Sequence, residues 1–168
     1  MELNDVYDEN RHFLGRVHER GTPWPAGEYG LVVCVWVCDG RGRVLLTRRA
    51  PEKSFAGTWE TSGGAARAGE TSRQAVAREL FEETGIRVQE QEFRLLGSGR
   101  DSCTHSDYYC VCRDTPISRI VLQPGETDGV QWASFEGVHR LIREQQICAV
   151  IARQFLLQET QLLTLQDR

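Results

Sequence analysis

The sequence predicts an α/β fold in which a mixed β-sheet packs between helices, and three observations lead to this prediction. Apolar, β-branched runs, which are typical of strands, lie on both sides of the middle of the chain. One segment between them places apolar residues at helical spacing, and two further helical patterns follow the last strand. Because strands precede and follow a central helix, this order favours a mixed sheet over a regular β-α-β repeat.

The first third of the chain is predicted to be mostly β-structure. VYDENRHFLGRVHER, residues 6–20, indicates a short hairpin or an extended arm, and the Pro- and Gly-rich RGTPWPAGEYG after it indicates a loop. Two apolar runs flank DGRG in YGLVVCVWVCDGRGRVLLTRR, which is a strong hairpin signal. The Gly-rich APEKSFAGTWETSGGAARAGE predicts an irregular connection with one short strand near Trp59.

The period of the apolar residues changes to that of a helix between Thr71 and Thr84. Four apolar residues recur at helical spacing there, namely Ala75, Val76, Leu80 and Phe81. Thr71 or Ser72 can cap the N-terminus, and Gly85 can end the helix because glycine readily adopts a positive φ. The pattern therefore predicts one central helix with a defined start and stop.

The remaining chain predicts three strands and two helices. The strands are EFRLLGSGR, SDYYCVCRD and DGVQWAS, and the helices are SFEGVHRLIREQ and CAVIARQFLLQETQLL. No repeat, low-complexity tract or linker divides the 168 residues, a length that suits one compact domain. We therefore expect residues 1–168 to form a single domain, with an N-terminal extension or hairpin at 1–27 and a core at 28–165.

Charge and hydropathy limit the partners of the chain. A formal net charge of -4 argues against a nucleic-acid polymer or a membrane surface as partner, since either favours a basic patch. No window approaches eighteen uninterrupted apolar residues, so no membrane span is predicted. The polar, acidic MELNDVYDENRHFLG resembles neither a secretory signal nor a transit peptide, and we expect a cytoplasmic protein.

Six cysteines call for a decision between metal ligands, disulfides and buried thiols. The spacings C-x3-C and C-x-C lack the paired C-x2-C and the histidines of zinc sites. A disulfide framework is not expected in a chain without an export signal. We therefore expect small, buried, reduced thiols.

The central helix carries three glutamates within five residues. Positions three and four apart share one helix face, so Glu79 faces both Glu82 and Glu83, and their like charges repel. A solvated face that serves only solubility usually interleaves basic residues, but only Arg78 lies near this one. The helix also follows the glycine-rich SGGAARAGE, which can bring backbone carbonyls close to the same patch.

Carboxylates together with a backbone carbonyl form a set of hard oxygen ligands. Such ligands suit Mg²⁺ or Mn²⁺ better than zinc, and a bound cation would convert the repulsion into a binding site. Magnesium usually shares its coordination shell with substrate phosphates, so the pattern indicates phosphoryl transfer or diphosphate hydrolysis.

The segment from Gly64 to Ile86 resembles the complete signature of the Nudix hydrolases. Five residues separate Gly64 from Glu70, seven more lead to Arg78-Glu79-Leu80, and Glu82-Glu83 and Gly85-Ile86 follow after single residues. A chance match is roughly one in a billion per starting point at background composition. The resemblance implies the Nudix α/β/α sandwich, with the signature loop and helix in the middle of the chain.

By this resemblance, the metal ligands are expected to be the carboxylates of Glu79, Glu82 and Glu83 together with the carbonyl of Gly63. Glu70 and Arg78 are similar to the family's supporting residues, which orient the carboxylates. The implied reaction is attack of water on a diphosphate linkage, assisted by Mg²⁺ or Mn²⁺.

The general base for that water stays open between two glutamates. Glu79 is one candidate, and Glu126, in QPGETDG, is the other. An exposed turn residue without catalytic role is an equally acceptable interpretation of Glu126.

The flanks resemble the branch of the family that contains isopentenyl-diphosphate isomerase. LLTRRAPEKSFAGTWETSGGA has that branch's basic residues before a tryptophan, so Arg48, Arg49 and Lys53 are candidates for substrate-diphosphate binding. They are also acceptable as an exposed strand end. Alternation sends Arg48 and Arg49 to opposite faces of a strand, so at most one of the two is expected to serve.

One departure decides against the isomerase activity itself. The isomerase uses a cysteine just ahead of its Nudix helix, whereas WETSGGA offers Thr61 and Ser62 and no cysteine occurs from Gly40 to Ser102. A hydroxyl is a far poorer proton donor than a thiol. The sequence therefore predicts a Mg²⁺-dependent hydrolase of a nucleoside di- or triphosphate or a related small organic diphosphate. An isomerase and a non-catalytic ligand-binding Nudix module remain the alternatives, and a homodimer stays open.

Overall fold

The structure is a computed structural model that describes residues 2–164. The strands are β1 (Leu3–Tyr7), β2 (Phe13–Glu19), β3 (Gly30–Cys38), β4 (Arg43–Arg49), β5 (Trp59–Glu60), β6 (Ser62–Ala65), β7 (Arg94–Arg100), β8 (Thr104–Cys112) and β9 (Thr127–Ser134). The helices are α1 (Ser72–Thr84), α2 (Phe135–Arg143) and α3 (Ala149–Thr164). None of the helices over residues 2–164 is long and apolar enough to cross a membrane.

Strands β3 to β9 form one mixed sheet. Its hydrogen-bonded path runs β5-β4-β3-β8-β7, while β6 pairs with β3 and β9 pairs with β4. Strands β3 and β8 run parallel over nine residue pairs, and the other pairs in the sheet are antiparallel. The mixed α/β sheet predicted from the order of the elements is confirmed.

Alternating side chains of β3 divide the core into two layers. Residues 31, 33, 35 and 37 lie in one buried cluster with Ala75, Val76 and Leu80 of α1. Trp36 lies in the other cluster, together with Val138 of α2 and residues 151, 155 and 162 of α3. Because successive strand residues face opposite sides, one apolar strand is covered by helices on both faces, which gives the α/β/α sandwich.

The hairpin predicted around DGRG is shorter than the sequence suggests. Strands β3 and β4 meet antiparallel only beside the turn, where Cys38 pairs with Val44. Strand β4 pairs with β9 along its whole length, from Arg43 to Arg49, and residues 32–35 of β3 pair with β6. The prediction of a single short strand near Trp59 was also incomplete, because β6 follows β5. Glycine-rich SGGA has weak strand propensity, and tertiary pairing with β3 makes it a strand.

Helix α1 begins and ends as its sequence predicts. Thr71 is the N-cap: its side chain accepts a hydrogen bond from the backbone N–H of Gln74, and the Gln74 side chain accepts one from the backbone N–H of Thr71. Gly85 ends the helix with φ 73°, and its N–H donates to the carbonyl of Phe81. The structure therefore selects Thr71 over Ser72 as the cap.

The N-terminal segment forms a hairpin of β1 and β2 rather than an extended arm. Strand β1 is fixed to the loop that precedes α1. The buried Asn4 side chain donates to the carbonyl of Ala66 at 2.7 Å, and the N–H of Ala68 donates to the carbonyl of Leu3 at 2.7 Å. The hairpin is thereby held against the loop that connects β6 to α1.

The six cysteines are not uniformly buried. Cys38 and Cys110 are buried, three are partly exposed, and Cys112 is exposed at the end of β8. The expectation of buried thiols is therefore met at two positions and wrong for Cys112.

Candidate active site

A polar cavity of about 150 Å³ lies where α1 meets β6 and the N-terminal hairpin. It is lined by Glu2, Arg20, Gly63, Gly64, Arg67, Arg78, Glu79, Glu82, Glu83, Gln123 and Glu126. The cavity brings together all three α1 carboxylates, the adjacent Gly63 and Gly64 of β6, and Glu126, residues that are up to 63 positions apart in the sequence.

Neighbouring atoms lie so close to Gly63 and Gly64 that neither position has room for a side chain. A Cβ on Gly64 would lie 2.5 Å from Cδ of Glu79, and a Cβ on Gly63 would lie 2.3 Å from the carbonyl oxygen of Val33. Both distances are shorter than carbon atoms tolerate. Gly64 therefore lets the Glu79 carboxylate rest against the backbone, and Gly63 lets β6 pair closely with β3.

Arg78 holds the acidic residues of the signature in place. It donates to both carboxylate oxygens of Glu70 at 2.7 and 2.9 Å, to Glu79 at 2.7 Å and to Glu82 at 3.1 Å. It also donates to the carbonyl of Ala65 at 3.1 Å. Fork-shaped, charge-assisted bonds of this kind fix carboxylate orientation. The supporting roles expected of Glu70 and Arg78 agree with this geometry.

Glu83 is the α1 carboxylate whose negative charge is least offset by neighbouring groups. Burial, followed by the charge of Glu79, raises the pKa of Glu83 to about 8, although hydrogen bonds with Ser62 and the Gly63 backbone work in the opposite direction. Burial also raises the pKa of Glu79, but Arg78 opposes that rise. Within residues 2–164, Glu83 has no ion-pair partner, so the cavity favours an added positive charge beside it.

The donor set of this cavity fits a hard divalent cation. Within residues 2–164, no three His, Cys, Asp or Glu side chains are already gathered as a metal-binding group. Arg78 binds Glu79 and Arg67 lies 3.2 Å from Glu82, so both carboxylates are paired with arginines. The carboxylates of Glu79, Glu82 and Glu83 and the Gly63 carbonyl could hold the ion once these pairs open.

Glu126, the second candidate for the general base, lines the same cavity. The Nζ atom of Lys53 lies 2.5 Å from its carboxylate. Lys53 belongs to the loop between β4 and β5, so the loop is connected to the cavity through this ion pair. Lys53 itself is not a lining residue.

The other two basic candidates of the sequence do not line the cavity either. Arg48 donates to Asp128 at 2.7 Å and lies over the ring of Trp59 at 5.8 Å from its centroid. Arg49 donates to Glu60 at 2.7 Å and to the carbonyl of Ser54 at 2.6 Å. Arg48 and Arg49 thus have separate partners, and their role in substrate binding stays a prediction.

The cavity also contains residues that sequence reasoning missed. Glu2 and Arg20 belong to the N-terminal hairpin, and no spacing in the sequence connects them to α1. Arg67 lies between Gly64 and Glu70, at a position that the signature leaves unrestricted.

A cysteine also lies nearer to the site than the sequence suggested. Cys34 pairs with Gly63 across β3 and β6, and its Sγ would lie 3.2 Å from a Cβ on that glycine. Its side chain packs with the cluster that faces α2 and α3, and burial raises the pKa of the thiol to about 12. Cys34 therefore lies behind the cavity rather than in it.

A family profile and a related sequence both identify the family to which this chain is similar. The profile of the NUDIX domain matches residues 28–154. An uncharacterized Nudix hydrolase of Listeria innocua is 33% identical over 143 residues, which cover 84% of this chain and 85% of that protein. The hairpin residues Glu2 and Arg20 lie outside residues 28–154, the range that the NUDIX profile matches.

Solved structures share the fold. The crystal structure of DR0079 from Deinococcus radiodurans has a TM-score of 0.76 and 23% identity, covering 90% of this chain and 96% of that one. A bifunctional NMN adenylyltransferase/ADP ribose pyrophosphatase from Francisella tularensis, complexed with AMP and a Mn ion, has a TM-score of 0.63 and 20% identity. That match covers 84% of this chain and 43% of the other.

Proposed function

This chain belongs to the Nudix hydrolase family and is an enzyme that hydrolyses a diphosphate linkage, and we propose that it uses Mg²⁺ to hydrolyse a nucleoside di- or triphosphate or a related small organic diphosphate. Nudix hydrolases generally use divalent metal ions. Mg²⁺ is the ion of choice because it prefers oxygen ligands and shares its shell with phosphates, and Mn²⁺ can replace it.

The observation that carries the proposal is the convergence of three α1 carboxylates on one small polar cavity, where Glu83 has no cationic partner within residues 2–164. Repulsion between buried carboxylates costs stability unless a cation offsets it. A diphosphate needs the same cation to neutralise its oxygens. The cavity is thus suited to a substrate that arrives as a metal–diphosphate complex.

The residues of the cavity have different roles in the proposed reaction. Glu79, Glu82, Glu83 and the Gly63 carbonyl would hold the ion, which would supply charge neutralisation at the phosphate oxygens and activation of water. Arg78 keeps the carboxylates oriented, with Glu70 as its anchor. Attack of water on phosphorus breaks one P–O bond of the diphosphate linkage, and the released oxygen leaves with its phosphate group.

The proton of the attacking water goes to a carboxylate, and two candidates remain. Burial raises the pKa of Glu79, which makes its carboxylate a better proton acceptor than an exposed glutamate. Glu126 also lines the cavity and pairs with Lys53. The two candidates predict different variants, because Glu79 is also a proposed metal ligand and Glu126 is not.

The experiment incubates the purified chain and Mg²⁺ or Mn²⁺ with nucleoside di- and triphosphates, sugar and dinucleotide diphosphates, and isoprenoid diphosphates. Released phosphate is measured, with added pyrophosphatase to detect diphosphate, and Glu83→Gln serves as the blank. We expect turnover of one substrate class and none with Glu79→Gln or Glu83→Gln. Near wild-type activity of either variant would make the metal assignment wrong.

The same panel separates the alternatives. Interconversion of isoprenoid diphosphate isomers without phosphate release would replace the hydrolase proposal with an isomerase. If Glu126 is the base, Glu126→Gln lowers kcat by about 10² to 10⁴-fold and leaves Mn²⁺ affinity unchanged. If Glu79 is the base, Glu126→Gln retains kcat, and Glu79→Gln loses both turnover and metal affinity.

A further inference from the structure

Arg78 has no hydrogen-bonding capacity left for a substrate. Its five side-chain bonds, two to Glu70 and one each to Glu79, Glu82 and the Ala65 carbonyl, match the five N–H groups of a guanidinium. A diphosphate in this cavity therefore has to find its cationic side chains elsewhere. The cavity lining contains two further arginines, Arg20 and Arg67.

Glu2 holds these two arginines side by side. Nη1 of Arg20 donates to one Glu2 oxygen at 2.8 Å, and Nε of Arg67 lies 3.6 Å from the other oxygen. That second oxygen is buried and has no hydrogen-bond partner among the described residues. Arg67 also reaches Glu82, at 3.2 Å, so a row of alternating charges joins the N-terminal hairpin to α1.

Both arginines keep donors that a ligand can use. Their side chains are about half exposed, 50% for Arg20 and 44% for Arg67. Among the described residues, the Arg20 side chain donates only through Nη1 and only to Glu2. An open hollow of about 510 Å³ adjoins the carboxylate cavity and is also lined by Glu2 and Arg67. The hollow is lined by Arg67 and by none of the α1 carboxylates, so a phosphate group that enters from it meets Arg67 first.

The position of Arg20 is built into the fold rather than set by a mobile arm. The backbone N–H of Arg20 donates to the carbonyl of Glu2 at 3.0 Å, which closes the open end of the hairpin. The Asp5 carboxylate accepts from the N–H of Gly69 at 2.9 Å, in addition to the Asn4 and Ala68 contacts described above. The hairpin thus presents Arg20 to the cavity at a fixed place.

We propose that Arg20 and Arg67, the arginine pair, bind the substrate phosphate oxygens that the metal does not, so that the N-terminal hairpin completes the active site. This inference rests on the proposed diphosphate substrate. Arginine suits the role because its fork of N–H donors matches phosphate geometry and its bonds to phosphate are charge-assisted. Glu2 positions the pair and is displaced from it, at least in part, when phosphate binds.

The decisive variant is Arg20→Gln, because Arg20 contacts Glu2 and no carboxylate of α1. We expect its KM for the substrate that the panel identifies to rise by about 10-fold or more, with a smaller change in kcat. Arg67→Gln should behave similarly, and Arg20→Lys should recover part of the loss. Arg16→Gln is the matched control, since Arg16 lies on the same hairpin but pairs with Glu28, outside the cavity.

A binding measurement makes the test independent of turnover. Calorimetry with methylenediphosphonate, a non-hydrolysable diphosphate, should give at least 10-fold weaker binding to Arg20→Gln than to Arg16→Gln in Mn²⁺. The Mn²⁺ affinity and the melting temperature of the two variants should agree. Equal affinities for methylenediphosphonate, or equal KM values, would overturn the inference.

The outcomes also separate this inference from the proposed function. If the wild type hydrolyses a diphosphate and Glu83→Gln does not, while Arg20→Gln behaves as Arg16→Gln does, the function stands and the arginine pair fails. If no diphosphate is hydrolysed and Glu83→Gln leaves Mn²⁺ binding intact, the proposed function fails. The calorimetric comparison of Arg20→Gln with Arg16→Gln then still decides on the pair.

Discussion

Three neighbouring glutamates on one helix face meet three different environments. Glu82 pairs with Arg67 and Arg78, and Glu79 pairs with Arg78. Glu83 is buried beside Ser62 and the Gly63 backbone, and no arginine among residues 2–164 pairs with it. A buried carboxylate without a cation is destabilising when it is ionised. Glu83 is therefore the carboxylate that lowers the stability of the metal-free fold most, and it is the one that a bound cation would stabilise most.

We predict that Glu83→Gln stabilises the metal-free protein in a pH-dependent manner. The folded pKa of Glu83, about 8, is raised above the ordinary glutamate value of 4.5. A raised folded pKa contributes stability that is fully present below pH 4.5 and is lost as the pH rises toward 8. In EDTA at pH 8, the variant should exceed the wild type by at least about 1 kcal/mol in free energy of unfolding. The difference should shrink at pH 5, as measured by urea denaturation.

Glu52→Gln is the control for this prediction, because Glu52 is exposed on the loop between β4 and β5. Its curve should follow that of the wild type at both pH values. Added Mn²⁺ should reverse the order at pH 8, since only the wild type keeps the full ligand set. A Glu83→Gln protein that is less stable than the wild type in EDTA at pH 8 would contradict the assignment.

At the scale of elements, local patterns predicted some features well and others poorly. Helix α1 was predictable in detail because Thr71, Gln74 and Gly85 act on their own helix ends. Strand β6 was not predictable, because its glycines form a strand only through pairing with β3. The same limit applies to the cavity: the spacing of the signature indicates the α1 carboxylates, while Arg20 enters through hairpin docking that leaves no local trace.

The two glycines of β6 allow a paired prediction. A Cβ at position 63 meets the backbone oxygen of Val33, which cannot move without breaking the pairing of β3 and β6. A Cβ at position 64 meets only the end of the Glu79 side chain, which can rotate away. Gly63→Ala should therefore lower the unfolding free energy by about 1 to 3 kcal/mol. Gly64→Ala should change it by less and instead weaken Mn²⁺ binding and turnover.

Thermal melts and Mn²⁺ titrations of both variants test this prediction. Gly97→Ala is a suitable control, because a Cβ there meets nothing within 4 Å. Equal melting temperatures for Gly63→Ala and Gly97→Ala would show that β6 tolerates the methyl group. Unchanged Mn²⁺ affinity in Gly64→Ala would show that the position of Glu79 does not matter for the ion.

At the scale of the whole molecule, a buried aspartate joins the hairpin, α1 and the sheet. Asp107 of β8 accepts from Arg11 of the hairpin turn at 2.6 Å and from Ser98 of β7 at 2.6 Å. It also accepts from the hydroxyl of Ser72, the first residue of α1, which in turn accepts from Tyr109. One carboxylate thus connects the parts of the chain that contribute Arg20 and the α1 carboxylates to the cavity.

We predict that Asp107→Asn destabilises the protein at neutral pH and that the difference from the wild type disappears in acid. Burial acts to raise the pKa of Asp107, but the bonds from Arg11, Ser72 and Ser98 outweigh it and hold that pKa below the ordinary value of 3.8. A lowered folded pKa contributes stability that is present above pH 3.8 and is lost as the pH falls through the folded pKa. Losing the charge-assisted bonds should cost about 1.5 to 3 kcal/mol at pH 7.

Urea denaturation at pH 7 and pH 3 measures this difference, with Asp114→Asn as the control, because Asp114 forms an exposed pair with Arg41. Since the hairpin depends on this connection, Asp107→Asn should also raise KM through Arg20 while Mn²⁺ affinity stays close to that of the wild type. If its stability at pH 7 equals that of Asp114→Asn, Asp107 does not connect the three elements energetically. If the stability falls but KM does not, the hairpin keeps Arg20 in place through the contacts of β1 with the loop before α1 alone.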